Sequence, residues 1–271
     1  MPEGDAILRA ARTLHRALAG RTVVRFESVF PKLTRVHVDT PITGRTVASV
    51  AAAGKHVLMR FSGDLTLRTH MRMDGSWHIY RPGERWRRPR RDMRILVATR
   101  EYEAVGFTIP VAEFLDGQAE ARQDDLRKMG PDLLGESFDE DDALGRMREH
   151  DDEDIADVLL NQRVVAGIGN IYKCETLFLC GVNPFARTAT VSDDRLRRLV
   201  RTARKYLQAN ANKRAGGIVT YTGFQRERGE GGRHYVYGRG GRPCRKCGTA
   251  IELTTQGPHA RLTYWCRHCQ P

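Results

Sequence analysis

The sequence predicts an α+β protein: an N-terminal helix with an antiparallel β-sandwich, then a helical domain, then a small C-terminal β-hairpin built on cysteines. Three observations predict it. Short β-branched segments punctuated by Gly, Pro or Asp crowd residues 22–114. Helical apolar periodicity takes over beyond residue 132. Four of the six cysteines form two C-x-x-C pairs near the end of the chain. At 271 residues there is enough chain for two modest domains with real cores. The expected boundaries are 1–118 for the sandwich, 119–132 for a linker, 133–238 for the helical domain and 239–271 for the cysteine module.

Taken in order, residues 6–19 put Ile7, Ala10, Ala11, Leu14, Ala17 and Leu18 on one helical face, with Gly20 as the stop. Such a helix ties down a chain end that would otherwise fray. The strands expected next are VVRF, RVHV, TVASV, HVLMRF, LTLRTHM, SWHIY, RILVA and YEAVGFTI. Gly54-Lys55 reads as a hairpin turn, with a lysine that is either simply solvated or set to hold a phosphate. His70-Met-Arg-Met-Asp-Gly75 reads as a loop whose methionine either folds into the core or wedges into a base stack. The stretch from Arg81 to Arg91 sets arginines around Trp86, and Pro82 and Pro89 argue against regular structure there. Residues 116–132 read as a connector ending in Gly130-Pro-Asp132.

Beyond it, the acidic stretches 139–142 and 151–154 suit helix N-terminal turns. Residues 155–162 finish a helix, 164–170 form a glycine-containing turn, and 171–179 begin another helix, whose N-terminal end can face an anion. Ser192 begins a longer helix, with Leu196, Leu199, Val200, Ala203 and Leu207 on one face and arginines on the other. Residues 216–243 are Gly- and Arg-rich, a flexible basic approach to the last module.

Lys+Arg number 45 against 33 Asp+Glu, a net charge of +12 with a pI near 9.8, which suits a polyanionic partner such as nucleic acid. No run of 18 apolar residues exists, and no charged-then-apolar leader opens the chain. A cytoplasmic, nucleoid-associated, non-secreted protein is expected. Cys174 and Cys180 read as reduced core residues. Cys244-x-x-Cys247 and Cys266-x-x-Cys269 have 18 residues between them, and four thiolates suit one tetrahedral, closed, structural Zn²⁺. Arg261 lies near the turn of the hairpin between them, in reach of a phosphate.

The first residues, Met-Pro-Glu, carry the chemical possibility. Removal of Met1 would leave Pro2 as a secondary α-amine beside Glu3. An α-amine titrates roughly two units below a lysine, so it can attack a sugar carbon and form a Schiff base while the carboxylate moves protons.

Met-Pro-Glu, Gly54-Lys55, His70-Met-Arg-Met-Asp-Gly75, Gly130-Pro-Asp132, Asn161-Gln-Arg-Val-Val-Ala-Gly-Ile-Gly-Asn-Ile-Tyr172 and the terminal four-cysteine module occur in this order. In this the chain resembles the formamidopyrimidine-DNA glycosylase / endonuclease VIII family of base-excision repair enzymes, nearly end to end. The resemblance implies a helix–two-turn–helix and a zinc finger in the second half, with damaged DNA as partner. It implies a flipped nucleotide, a monomer and no small-molecule cofactor. It puts Pro2 as nucleophile at C1′ and Glu3 as general acid/base, with β,δ-elimination cutting the strand after base removal. Lys55 and Arg261 join this catalytic set. Lys55, His70, Met73, Asn170 and Arg261 are implied on the DNA, with Met73 filling the gap in the stack.

Gly4-Asp5 replaces the Leu-Pro usual in the formamidopyrimidine branch, and Ala6 stands where a second glutamate is usual. Thr108–Phe114 lacks that branch's Pro-Arg-Arg-Phe-Gly loop, and 217–235 is short for a purine-capping loop. These features look like the endonuclease VIII branch and a preference for oxidised pyrimidines. The competing expectations are oxidised purines, or a non-catalytic zinc-finger nucleic-acid-binding protein, which has no need for Met-Pro-Glu together with Lys55.

Overall fold

Helix α1 (Gly4–Leu18) buries the predicted stripe: Ile7, Ala10, Ala11, Leu14, Ala17 and Leu18 are each at most 1% exposed. The computed structural model describes residues 2–212 and 234–271; most of the basic 216–243 stretch, and nearly all of 217–235, lies outside the described residues. Among those described, residues 2–127 and 210–212 form one compact unit, and 128–209 with 234–271 form another.

In the first unit two antiparallel four-stranded sheets face each other. One has the order β1 (Arg25–Ser28), β6 (Met93–Ala98), β7 (Glu103–Phe107), β5 (Ser76–Tyr80). The other has the order β2 (Val47–Ala53), β3 (His56–Phe61), β4 (Leu65–His70), β8 (Val111–Leu115). Alternation along the strands sends Ile95, Val97, Ala104, Trp77 and Ile79 inward from the first sheet. Val50, Val57, Met59, Phe61 and Leu67 meet them from the second, and α1 closes the core against β2 and β3. On α1, the His15 Nδ1 accepts the Val50 N–H at 3.1 Å, a packing role.

One expected strand is a helix. Residues RVHV lie in α2 (Pro31–Asp39), where Pro31 occupies the first turn and gives up no hydrogen bond. Leu33, Val36 and His37 fall on one side at helical spacing; Leu33 is buried, and the His37 ring packs 5.1 Å from Phe26. The β-branched alternation was a weak signal that packing overrode. The stretch expected to be a plain connector likewise holds two short helices, α3 (Gly117–Arg122) and α4 (Asp124–Arg127); Asp116 caps the first by accepting the Ala119 N–H at 2.6 Å.

The second unit packs α5 (Glu140–Arg148), α6 (Ile155–Leu160), α7 (Asn170–Cys180) and α8 (Asp193–Ala211) around Leu133, Val158, Leu159, Leu177, Leu199 and their neighbours. Asp139 caps α5, taking the N–H groups of Asp141 and Asp142. The arginine face of α8 is largely structural: Arg197 and Arg201 both bind Glu140, and Arg204 donates to the Leu133 carbonyl at 3.0 Å. Gly130-Pro-Asp132 is no loose tether. The Gly130 N–H donates to Gln162 O at 2.9 Å, and Pro131 O accepts from Ala166. A Cβ at position 130 would collide with the Val164 carbonyl, so only glycine permits this approach. A hairpin of β9 (Glu252–Gln256) and β10 (Arg261–Trp265) completes the unit. Among the described residues no helix is long and apolar enough to cross a membrane.

Candidate functional site

Five of the sequence-predicted residues lie in the first unit. Pro2 is buried immediately ahead of α1, and Glu3, 3% exposed, occupies the helix N-cap position, its carbonyl accepting the Ala6 and Ile7 N–H groups at 2.9 and 3.0 Å. The neighbouring carboxylate, Asp5, is engaged by Arg9 at 2.8 Å, one turn on. Lys55 sits in the β2–β3 turn as expected, but it is not a solvated turn lysine: it is 9% exposed.

Beside Lys55, His56 and His70 pair across β3 and β4 with ring centroids 4.9 Å apart. Burial lowers both, each to about 4. His70 and Arg68 add to the effect on His56, and Lys55, Arg72 and Arg68 to that on His70; Asp125 opposes it in both. Both rings are therefore neutral at pH 7. His70 Nδ1 accepts the Arg72 N–H at 3.0 Å, which leaves the proton on Nε2 as a donor. Arg68 is held by Glu113 and Asp125, and so is a structural cation.

The turn after His70 separates its two methionines. Met71 is fully buried and Met73 is 58% exposed. The Gly75 N–H returns to Met71 O at 2.9 Å, and a Cβ on Gly75 would strike that same oxygen. Thr108 Oγ1 donates to Asp74 O at 2.7 Å from the β7–β8 connection, itself in a left-handed backbone conformation at φ 47°.

In the second unit the glycine turn is wrapped by one side chain. Gln162 Nε2 donates to Leu160 O and Ile168 O, while its Oε1 accepts the Gly167 N–H. This sets the start of α7. Asn170, the first residue of that helix, donates Nδ2 to Leu262 O at 2.7 Å, so the structure brings it beside Arg261, which is exposed at the start of β10. Asn170 Oδ1 is buried without a hydrogen-bond partner among the described residues. Lys173, one turn along and 1% exposed, donates to Thr263 Oγ1 at 2.7 Å. Thr263 continues to Gln256, and Gln256 to Asp154 and Pro184 O. Glu175 receives the backbone N–H groups of Tyr235, Val236 and Tyr237 at 2.8–2.9 Å. Lys173 and Glu175 were not singled out from sequence; charged residues three and five places beyond Asn170 in an apolar helix were the available signal.

The four terminal cysteines converge, all Sγ atoms lying within 4.8 Å of one another. The Cys247–Cys266 and Cys244–Cys269 separations are 3.4 and 3.9 Å. A disulfide requires about 2.0 Å. A tetrahedron with metal–sulfur bonds of about 2.3 Å places its sulfurs about 3.8 Å apart. The donor set therefore fits one thiophilic metal ion. His259 and His268 are not part of the cluster.

Comparison with known proteins bears on the whole arrangement. The formamidopyrimidine-DNA glycosylase N-terminal domain matches residues 1–131, and the formamidopyrimidine-DNA glycosylase H2TH domain matches residues 129–222. The chain is 41% identical over 273 residues to a probable endonuclease 8 2 of Streptomyces coelicolor, covering 100% of this chain and 94% of that protein. It is 36% identical over 270 residues to DNA-(apurinic or apyrimidinic site) lyase Nei2 of Mycolicibacterium smegmatis, covering 100% and 99%. Lactococcus lactis Fpg, solved in complex with DNA containing an abasic site, has the same fold, with a TM-score of 0.82, 22% identity and 99% of each chain covered.

Proposed function

The chain belongs to the formamidopyrimidine-DNA glycosylase family, on its endonuclease VIII branch, and from that premise we propose a bifunctional DNA glycosylase and abasic-site lyase acting on damaged DNA in base-excision repair. The observation that carries the reading is the start of α1: Pro2 and Glu3, both buried, held on a 15-residue helix rather than on a frayed end.

With Met1 removed, Pro2 presents a secondary amine. Burial and the positive end of α1 both favour its neutral, nucleophilic form. The amine attacks C1′ of the flipped nucleotide, and the bond from C1′ to the base breaks as the base leaves with a proton. Glu3 moves protons at this step. Loss of the Pro2 proton and opening of the sugar ring, in which the C1′–O4′ bond breaks and O4′ takes up a proton, give an iminium; abstraction of a 2′ proton then expels the 3′ phosphate, and a second proton abstraction and elimination expel the 5′ phosphate. Water hydrolyses the imine and frees the amine. Lys55, His70, Asn170 and Arg261 hold phosphates around this nucleotide, and Met73 fills the gap in the stack. Asn170 has one amide hydrogen committed to Leu262 O and one left for this purpose.

Cys244, Cys247, Cys266 and Cys269 would hold Zn²⁺. Such an ion supplies folding energy to the hairpin and takes no part in the reaction. A preference for oxidised pyrimidines is supported by the short β7–β8 connection, which is tied back to Asp74 and carries neither the arginine nor the phenylalanine of the purine-repair branch.

The test is borohydride trapping on abasic-site DNA, with loss of Met1 checked by mass spectrometry. Processed enzyme is expected to form a covalent complex, and N-terminal acetylation to abolish it. Glu3→Gln is expected to slow base removal by about 10²-fold or more while leaving DNA affinity within a few-fold. Correctly processed enzyme that binds the DNA but never traps overturns the reading. A panel of thymine glycol, dihydrouracil, 8-oxoguanine and formamidopyrimidine duplexes decides the substrate class.

A further inference from the structure

The segment between β5 and β6 is an arginine-rich strap with a defined path. β5 runs from Ser76, opposite Phe107, to Tyr80, opposite Glu103. The strap then returns across the outer face of the sheet, because Met93 is again opposite Phe107. Trp86 pins it midway. Its ring packs against Tyr80 and Phe107 over a second apolar cluster that includes Met93, Leu96 and Val105, and its Nε1 donates to Glu103 at 3.2 Å. Beneath it His78 hydrogen-bonds both Ser76 and Tyr80. Burial, with Arg88 and Arg87 nearby, lowers His78 to about 4, so this ring adds no positive charge beneath the strap at neutral pH.

The arginines of this strap divide into two sets. Arg81 stacks on Tyr102, Arg90 reaches Glu27 at 3.0 Å, and Arg88 reaches Asp92 and Thr108. Glu84, the strap's own carboxylate, accepts the Arg81 backbone N–H at 2.9 Å. Arg85, Arg87 and Arg91 are exposed and have no carboxylate partner among the described residues, in contrast to Arg9, Arg60 and Arg68 of the same unit. Like charges crowded on one fixed strap repel each other unless an anion lies along them. The strap also ends beside the exposed methionine turn. Thr108, which takes a hydrogen bond from Arg88, itself donates to the Asp74 carbonyl next to Met73.

We propose that Arg85, Arg87 and Arg91 form an accessory strip that binds the phosphates of duplex DNA flanking the lesion. The inference rests on the glycosylase reading above. A five-residue strand is about 17 Å long, so the strip parallels the rise of about five base pairs at 3.4 Å each. Its contacts would be to phosphates and would carry no sequence information.

The test compares the full-length, metal-loaded protein with the triple variant Arg85→Ala/Arg87→Ala/Arg91→Ala. Binding to a duplex with a tetrahydrofuran abasic analogue is followed by anisotropy from roughly 50 to 200 mM salt. Arg88 and Trp86 are kept, so the strap and the Met73 turn keep their anchors. Losing three phosphate contacts lowers the salt slope by about 2.7, so wild-type affinity falls about 40-fold more than the variant's across that range. The Arg→Lys triple variant is expected to keep the wild-type slope, because lysine also neutralises a phosphate. Lys32→Ala/Arg35→Ala/Arg100→Ala removes the same formal charge elsewhere on the unit and is expected to leave the slope within about 1. An unchanged slope in the strap variant, or an equal loss in the control, overturns the inference. If the wild type itself fails to bind, it is the glycosylase reading that fails.

Discussion

In the N-terminal unit the apolar core lies between two four-stranded sheets and is closed by α1; Trp77, Ile95, Val97 and Leu67 are each at most 1% exposed. In the C-terminal hairpin module the contacts are of another kind. Lys173, Thr263 and Gln256 are buried polar residues joined by hydrogen bonds, buried Gln270 donates to Val182 O and accepts the Cys266 N–H, Glu175 holds three consecutive backbone N–H groups, and four thiols face one another. A core of the first kind is stabilised by apolar area alone, roughly 25 cal/mol per Å² removed from water. One of the second kind is stable only when every partner is present, because a buried polar group left unpaired costs about 1–3 kcal/mol. The first unit is therefore self-sufficient and the hairpin module is conditional.

Metal removal is the largest way to break this contrast. Chelation, or Cys247→Ser, is expected to abolish hydrogen-exchange protection over 235–271 while β2–β8 keep theirs. Zinc binding contributes on the order of 10 kcal/mol in finger peptides, as much as a whole domain's stability. DNA affinity should fall in parallel. Protection that survives verified metal loss would show the module to be as self-sufficient as the sandwich.

Acid probes three buried or half-buried histidines of the first unit. His56, His70 and His78 each titrate at about 4 in the fold, against about 6.5 in the unfolded chain. Between these values the unfolded chain binds protons that the folded unit refuses. The stability the three neutral imidazoles confer is complete above pH 6.5 and is lost as pH falls towards 4, on the order of several kcal/mol together. Exchange of β5–β7 amides as a function of pH measures this, and His78→Gln should remove about a third of the slope. A flat profile in the wild type would mean that the histidines protonate within the fold.

Glu175→Gln is expected to have the smallest of the three effects. The amide oxygen still accepts hydrogen bonds, but without charge, so the 235–237 segment should lose about 1.5–3 kcal/mol. Local exchange should rise there before any change in global melting. Global unfolding instead would mean that the polar network and the helical core form one cooperative whole.

Much of this was legible in the residues. Periodicity placed α1, the apolar face of α8 and nearly every sandwich strand, because each has one face towards a core. It failed at RVHV, where Pro31 and the packing of Leu33 and His37 favour a helix over β-branched alternation. The spacing of Cys244, Cys247, Cys266 and Cys269 predicted their convergence, since ligation demands proximity. Met73, Asn170 and Arg261 could be named from their motifs, but their surroundings could not. That Lys55 is buried beside two neutral histidines, and that Asn170 is engaged with Leu262 O, depend on contacts between residues far apart in sequence. His56 lies within a strand pattern that packing alone explains, and Lys173 and Glu175 were marked only by being charged in an otherwise apolar helix.

The turn carrying Met73 bears on time as well as on geometry. It is already closed, by Gly75 onto Met71 O, by Arg72 onto His70 and by Thr108 onto Asp74 O. Ordering a residue's backbone costs about 1–2 kcal/mol, so in the role proposed for Met73 a slack turn of four residues would add several kcal/mol to every attempted insertion into a base stack. A closed turn would meet each base pair with little of that barrier. On that proposal, stiffness at residues 71–75 would translate into short dwell times at sound base pairs and fast rejection.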